Sequence, residues 1–270
     1  MPIPFFQVDA FASRPFEGNQ ACVMPLDAFL PDETLQAIAQ ENNVAETAFI
    51  VPAGEGRWQL RWFTPAIEVP LCGHATLASA HVLFNHLGFG GEHIVFETRQ
   101  SGELAVARGG GHILEMDFPA SPVRKIGVTD EMERAFGPRP LAAYAGSFLA
   151  LVFNDPATVG ALSPDLALVR ELGAEADWGR GNVGVMAPGG EAFDVVSRFF
   201  APGSGIDEDP ATGSWHCLLA PVWAARTGKG DLSCFQAYPG RGARIGARVS
   251  GDRVILTGQS VTVIEGAFAL

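Results

Sequence analysis

A chain of 270 residues, 47% of them hydrophobic, carries enough apolar material for one large domain or two smaller lobes. Its formal net charge of -12, with no Lys/Arg run, argues against nucleic acid or an anionic membrane surface, both of which need a clustered basic footprint. The longest apolar stretch, Ala75 to Leu87, falls short of the roughly 20 residues of a bilayer span and is expected to be a buried helix. The amino terminus MPIPFFQVDAF lacks a basic segment and a cleavage site, so no secretory signal is expected and a cytoplasmic location is the default. Cys22, Cys72, Cys217 and Cys234 stand apart without a CxxC pair, which points to four reduced thiols rather than disulfides or a thiolate zinc site.

In chain order, FFQVDAF reads as a strand, and PDETLQAIAQENN (31–43) as a helix opened by Pro and two acids. TAFIVPA and WQLRWFTP are strands, followed by the buried helix at 75–87 and the strands HIVFET, GELAVAR and HILEMDF. TDEMERAFG (129–137) and SPDLALVRELG (163–173) are helices with hydroxyl N-caps, Thr129 and Ser163, and a terminal Gly, separated by the strand SFLALVF. VGVMAP and FDVVSRFF are strands, and WHCLLAPVWAARTG (215–228) is a second apolar helix in which Pro221 is expected to cause a kink or an early break. ARIGARV, RVILTG and SVTVIEGAF complete the series of short strands.

RWFTP at 61–65 matches RFFAP at 198–202, and TAFIVPA at 47–53 is echoed by VGVMAPG at 183–189, with offsets of 137 and 136 residues. Each copy runs on to a glycine pair, Gly73-His74 or Gly213-Ser214, and then to an apolar helix. A helix apolar on every face needs covering all round, which a curled sheet provides. The expected fold is therefore α+β: two pseudo-symmetric lobes, each an antiparallel β-barrel-like sheet wrapped round a central helix. The lobes are placed at 1–118, with the last strand 259–270 returning to the first lobe, and at 119–258, with a cleft between them.

A helix N-terminus presents unpaired N–H groups and positive dipole, so two such mouths are suited to a small carboxylated ligand. Asp207, Glu208 and Asp209 read either as a solvated acidic loop or as part of a site, Asp209 being the strongest candidate because a turn brings it near the mouth at Gly213. His74 is either a helix-start residue packing on the apolar face or a group that donates a hydrogen bond and exchanges a proton, with an ordinary pKa of about 6.5. Glu46 lies where a turn becomes a hydrophobic strand, either facing solvent or acting in apolar surroundings as alternating proton acceptor and donor. Cys72, just before Gly73, stands where a helix N-terminus would favour a thiolate base, but it is expected to pack rather than to carry the chemistry. The second copy has Thr212 at that position, a hydroxyl with no adjacent base in sequence, which counts against a symmetric two-thiol racemase. Cys72 and His74 lack further ligands at tetrahedral spacing, so no metal is expected. No P-loop, GxGxxG or GxSxG motif supports nucleotide binding or serine hydrolysis.

VDAFASRPFEGNQACVM (8–24), AETAF (45–49), FTPAIEVPLCGHATLASA (63–80), EDPATGSWHCLL (208–219) and FQAYPGRGARIGARV (235–249) together resemble, in order and spacing, the PhzF family of phenazine-biosynthesis-like isomerases. The resemblance implies the two-lobed fold of diaminopimelate epimerase and a homodimer. It also implies a cofactor-independent isomerase shifting a proton on a substrate like trans-2,3-dihydro-3-hydroxyanthranilate. It places the proton shuttle on Glu46, the orienting and proton-assisting groups on His74 and Asp209, the carboxylate-binding turns on Gly73, Gly213 and Ser214, and a cleft-shaping role on Asn19. Trp215 stands where the family usually has a small residue, a departure that bears on pocket shape. The alternatives to the isomerase are an amino-acid epimerase or racemase and a non-catalytic small-ligand-binding protein.

Overall fold

A computed structural model describes residues 2–174 and 181–270. The chain forms two compact units, Met1–Asp117 with Thr257–Leu270, and Phe118–Leu256. Among the described residues no helix is long and apolar enough to cross a membrane.

The first unit contains β1 (Ile3–Ala10), β2 (Asn19–Pro25), α1 (Asp32–Asn42), β3 (Glu46–Gly54), β4 (Arg57–Phe63), β5 (Glu68–Val69), α2 (Gly73–Asn85), β6 (His93–Thr98), β7 (Glu103–Arg108) and β8 (Leu114–Pro119). The second contains β9 (Arg124–Ile126), α3 (Asp130–Phe136), β10 (Ala142–Ala145), β11 (Leu149–Val152), α4 (Pro156–Ala161), α5 (Leu166–Ala174), β12 (Val183–Pro188), β13 (Val195–Phe200), α6 (Gly213–Thr227), β14 (Asp231–Gln236), β15 (Ala243–Ser250) and β16 (Arg253–Gly258). The last strand, β17 (Ser260–Phe268), belongs to the first unit and pairs antiparallel with β1.

The sheets are mixed rather than purely antiparallel. In the first unit β2–β3 and β4–β6 run parallel; in the second β11–β12 and β13–β14 do. A parallel pair cannot be joined by a tight hairpin and needs a crossover, and each of these four connections carries a helix. The internal repeat is realised strand for strand. Phe49 on β3 faces Arg61 on β4, and Val185 on β12 faces Arg198 on β13, the same pairing at the spacing the two sequence matches gave.

Each unit is built round an apolar helix. In α2 every residue from His74 to Phe84 is buried except the half-buried His81. Its internal hydroxyls are satisfied locally, Thr76 Oγ1 donating to the Cys72 carbonyl at 2.6 Å and Ser79 Oγ to that of Ala75 at 2.7 Å. The helix begins two residues before the expected 75–87 and ends two earlier, so Gly73 and His74 form its first turn. Similarly α6 begins at Gly213 rather than 215, and it passes through Pro221 without ending. The Pro ring removes the N–H that would bond to the Cys217 carbonyl. The Ser121 N–H fills that place at 3.0 Å, leaving no orphaned acceptor.

Other boundaries shift for equally local reasons. The N-cap of α5 is Asp165 rather than Ser163, its carboxylate accepting from the Ala167 and Leu168 amides at 3.0 and 3.2 Å. The short α4 was not anticipated, although Asp155 followed by Pro156 is a helix-start signal, and Asp155 Oδ1 accepts from the Thr158 N–H at 2.7 Å.

Trp215 turns inward rather than toward a pocket. It is fully buried against Gly184 on β12, with its ring centroid 6.0 Å from that of Phe199. A Cβ at Gly184 would lie 2.3 Å from the indole Cζ3, so the bulk of Trp215 is accommodated by the missing side chain opposite. Gly184→Ala is expected to lower stability by about 1–3 kcal/mol through overpacking. Urea unfolding of the wild type and variant checks this, and an unchanged midpoint would contradict the packing.

Candidate active site

In the first unit, Asn19 opens β2, Glu46 opens β3 and His74 lies in the first turn of α2. The parallel register places Glu46 beside Ala21, two residues along β2 from Asn19. His74 Nε2 stands 2.9 Å from Glu46 Oε2, and Asn19 Nδ2 stands 3.2 Å from His74 Nδ1. Cys72 Sγ lies 3.5 Å from the same Nδ1. His74, Asn19 and Cys72 are buried, whereas the Glu46 side chain keeps 17% of its exposure. The Glu46 side chain is thus the one member of the cluster that is only partly buried, although its Oε2, the oxygen nearest His74, is itself buried.

An amide nitrogen only donates, so Asn19 as placed requires a lone pair on Nδ1. The neutral imidazole then carries its proton on Nε2, the ring nitrogen nearer Glu46. Burial by itself opposes the imidazolium; negative charge on Cys72 or Glu46 favours it, and because the thiol is itself kept neutral by burial, the Glu46 carboxylate is the charge that holds His74 above the ordinary histidine value. When His74 is charged, the Asn19 amide must turn so that Oδ1 accepts. The helix N-terminus does not prevail at the thiol: burial, followed by the charge of Glu46, raises the Cys72 pKa.

Glu46, Cys72 and His74 place one donor atom each within 4.8 Å of one another, a ligand combination not visible from sequence spacing. The imidazole lies between the other two, the carboxylate near Nε2 and the thiol closer to Nδ1 than to Nε2. One ion could not meet all three donors without the ring turning.

In the second unit, Asp209 and Thr212 precede α6, and Gly213 and Ser214 are its first residues. Thr212 Oγ1 donates to Asp209 Oδ2 at 2.6 Å, so the hydroxyl does have a carboxylate beside it, contrary to the sequence expectation. Gln236, at the end of β14, is completely buried and binds this loop with both ends of its amide. Nothing local in the sequence marks it or β14, where FQAYPG forms part of a stretch that carries only the family resemblance. The three acids are resolved as different groups. Asp207 is exposed, Asp209 meets Thr212, and Glu208 forms a bidentate pair with buried Arg198 at 2.8 and 2.7 Å.

Both central helices lack a side-chain cap at their N-terminus. Cys72 and Thr212 occupy the N-cap positions in extended conformation, but neither makes a side-chain capping hydrogen bond. Gly73 is partly accessible and Ser214 is exposed, whereas Gly213 is buried. The structure therefore gathers Glu46, His74, Asn19 and Gly73 at the mouth of α2, and Asp209, Gly213 and Ser214 at the mouth of α6.

The upward shift of His74 has a definite sign. Its pairing stabilises the fold fully below the unfolded value of about 6.5, and that contribution is lost as pH rises through the higher folded value. Nitrogen-15 NMR should show His74 titrating above 6.5 and moving downward in Glu46→Gln. His216 provides an internal contrast, since burial lowers its pKa to about 4. A His74 midpoint below 6.5 would contradict the charge pairing.

A family profile described as phenazine biosynthesis-like protein (PhzC-PhzF) matches residues 8–266. A Pseudomonas aeruginosa protein named an uncharacterized isomerase is 46% identical over 271 residues, covering all of both chains. The crystal structure of an Enterococcus faecalis PhzF-family protein superposes with a TM-score of 0.93 at 40% identity, again covering all of both chains. A probable proline racemase from Agrobacterium radiobacter, at a TM-score of 0.64 and 12% identity, covers 99% of this chain and 93% of its own; it shares the fold. The matching profile, the full-length relatives and the common architecture establish that the chain belongs to the phenazine biosynthesis-like PhzC-PhzF family.

Proposed function

We propose that the protein is a cofactor-independent isomerase in which Glu46 moves a proton between carbons of a small, unsaturated carboxylated substrate. The observation that carries this reading is the 2.9 Å contact between the partly accessible Glu46 carboxylate and the buried His74 imidazole. A carboxylate can remove a proton from a carbon whose developing charge spreads into an adjacent double bond or carbonyl, and can return it at another carbon. His74 orients that carboxylate and supplies the compensating charge, while Asn19 fixes the far side of the ring. The first turn of α2, whose N-cap side chain makes no capping hydrogen bond, offers backbone N–H groups to an acidic group of a ligand, and the first turn of α6 is built in the same way. Asp209, beside the second mouth, is assigned to substrate orientation and assistance in proton movement.

Names of relatives support the reaction class, an isomerase. Within that class, trans-2,3-dihydro-3-hydroxyanthranilate is the proposed test substrate, on the strength of the family resemblance. An amino-acid epimerase finds its best support in the closeness of Cys72 to His74. Against it stand the raised pKa of Cys72 and the absence of a second thiol at position 212.

With that substrate in deuterium oxide, the wild type should wash solvent deuterium into the product. Glu46→Gln should lower turnover by about 10³-fold or more and abolish the wash-in, while Cys72→Ser stays within about tenfold of wild type. Unchanged exchange in Glu46→Gln would remove Glu46 from the mechanism. Racemisation of an amino acid that disappears in Cys72→Ser would favour the epimerase.

A further inference from the structure

We infer that Gln236 is a positioning residue for the mouth of α6, setting the direction of the Thr212 hydroxyl and through it the seat of the Asp209 carboxylate; this rests on the isomerase reading for its catalytic consequence. Gln236 ends β14 and is completely inaccessible to solvent. Its Oε1 accepts from the Thr212 N–H at 2.9 Å. Its Nε2 donates to the Asp209 carbonyl at 2.6 Å and to Thr212 Oγ1 at 3.1 Å. One side chain thereby meets the main chain of both residues and the side chain of one.

These contacts fix where the hydroxyl proton goes. Thr212 Oγ1 already accepts from Gln236, so its own proton points elsewhere, and Asp209 Oδ2 lies 2.6 Å away to receive it. The same engagement explains an anomaly of α6. A threonine at an N-cap usually turns its oxygen back to accept a first-turn amide, but Thr212 does not. Reversing the Gln236 amide would set its oxygen against the Asp209 carbonyl and against Thr212 Oγ1, while its NH₂ faced the Thr212 N–H. The pattern of donors around it therefore allows one orientation. Gln236 adds a tie from β14 to a loop that also meets β13 through the Asp209 N–H and α6 through the Thr212 carbonyl.

Removing the amide should free Thr212 to cap α6 and leave Asp209 without this donor. In Gln236→Leu, the melting temperature should fall only modestly. The Asp209 carboxyl carbon signal in protein labelled with carbon-13 aspartate should shift, and the Thr212 side-chain couplings should report a changed or averaged rotamer. With trans-2,3-dihydro-3-hydroxyanthranilate as probe, kcat should fall about 10- to 100-fold with KM within about threefold, the size expected for a misplaced group. Gln236→Glu gives the sharper arm. Its carboxyl reproduces the Gln donor only when protonated, so the variant should be impaired at alkaline pH and recover on acidification relative to wild type, whereas Gln236→Leu should not recover.

An unchanged Thr212 rotamer and Asp209 signal in Gln236→Leu would overturn the proposal. Equal losses in both variants at every pH would do the same, because they would reduce Gln236 to packing. If the wild type does not convert the probe, the isomerase assignment for that substrate fails, while the NMR arm still decides whether Gln236 positions Thr212 and Asp209.

Discussion

A buried arginine in each unit holds the chain that leads into the central helix. Arg61 on β4 grips Glu68 through two hydrogen bonds of 2.8 Å and reaches Asp32, the first residue of α1, at 2.9 Å. Arg198 on β13 grips Glu208 in the same two-pronged manner and donates to the Leu162 carbonyl just beyond α4 at 2.7 Å. The fork geometry of guanidinium makes this possible where lysine could offer only a point charge. Removing one partner of such a buried pair typically costs about 3–5 kcal/mol, because the other charge is left uncompensated. In both units the gripped glutamate folds back onto the strand: Glu68 pairs with Phe63, and Glu208 bridges to Phe200, two residues beyond the respective arginine. Each helix mouth is thus reached through a loop fixed at its base.

That constraint explains how chemically useful groups can sit at the ends of apolar helices without help from the helices themselves. The N-cap side chains are occupied elsewhere or poorly suited to capping. Thr212 is held by Gln236 and turned to Asp209, and Cys72 lies against His74. Neither N-cap side chain makes a capping hydrogen bond, which is costly for stability and leaves the first turn suited to binding. The first mouth adds a carboxylate beside an imidazole. The second adds a carboxylate whose surroundings are organised by a buried amide. The repeat therefore supplies one architecture twice, with different chemistry at each copy.

Much of the fold was legible because its signals are local. The RWFTP and RFFAP matches marked equivalent strands, and Asp32, Glu33 and Asn43 bracketed α1 as the capping rules require. β2 and β14 were passed over, since NQACVMP and DLSCFQ show weak alternation and their strand character comes from pairing with distant neighbours. The candidate site divides in the same way. Glu46 and His74 were each identifiable as chemically capable, but their 2.9 Å contact depends on how β3 meets α2, and neighbouring sequence does not encode that contact. Gln236 and the two arginines were missed because their value lies wholly in partners far along the chain. Cys72 shows the same division: the helix N-terminus is evident from sequence, whereas the burial and the nearby carboxylate that raise its pKa are tertiary facts.

The central claim is that the Glu46 carboxylate itself carries the proton, with His74 holding it in place. Chemical rescue tests this most directly. Glu46→Ala should be inactive toward trans-2,3-dihydro-3-hydroxyanthranilate and should regain turnover in proportion to added formate, a small carboxylate able to enter the space vacated. Wild-type turnover by Glu46→Ala without formate would contradict the account.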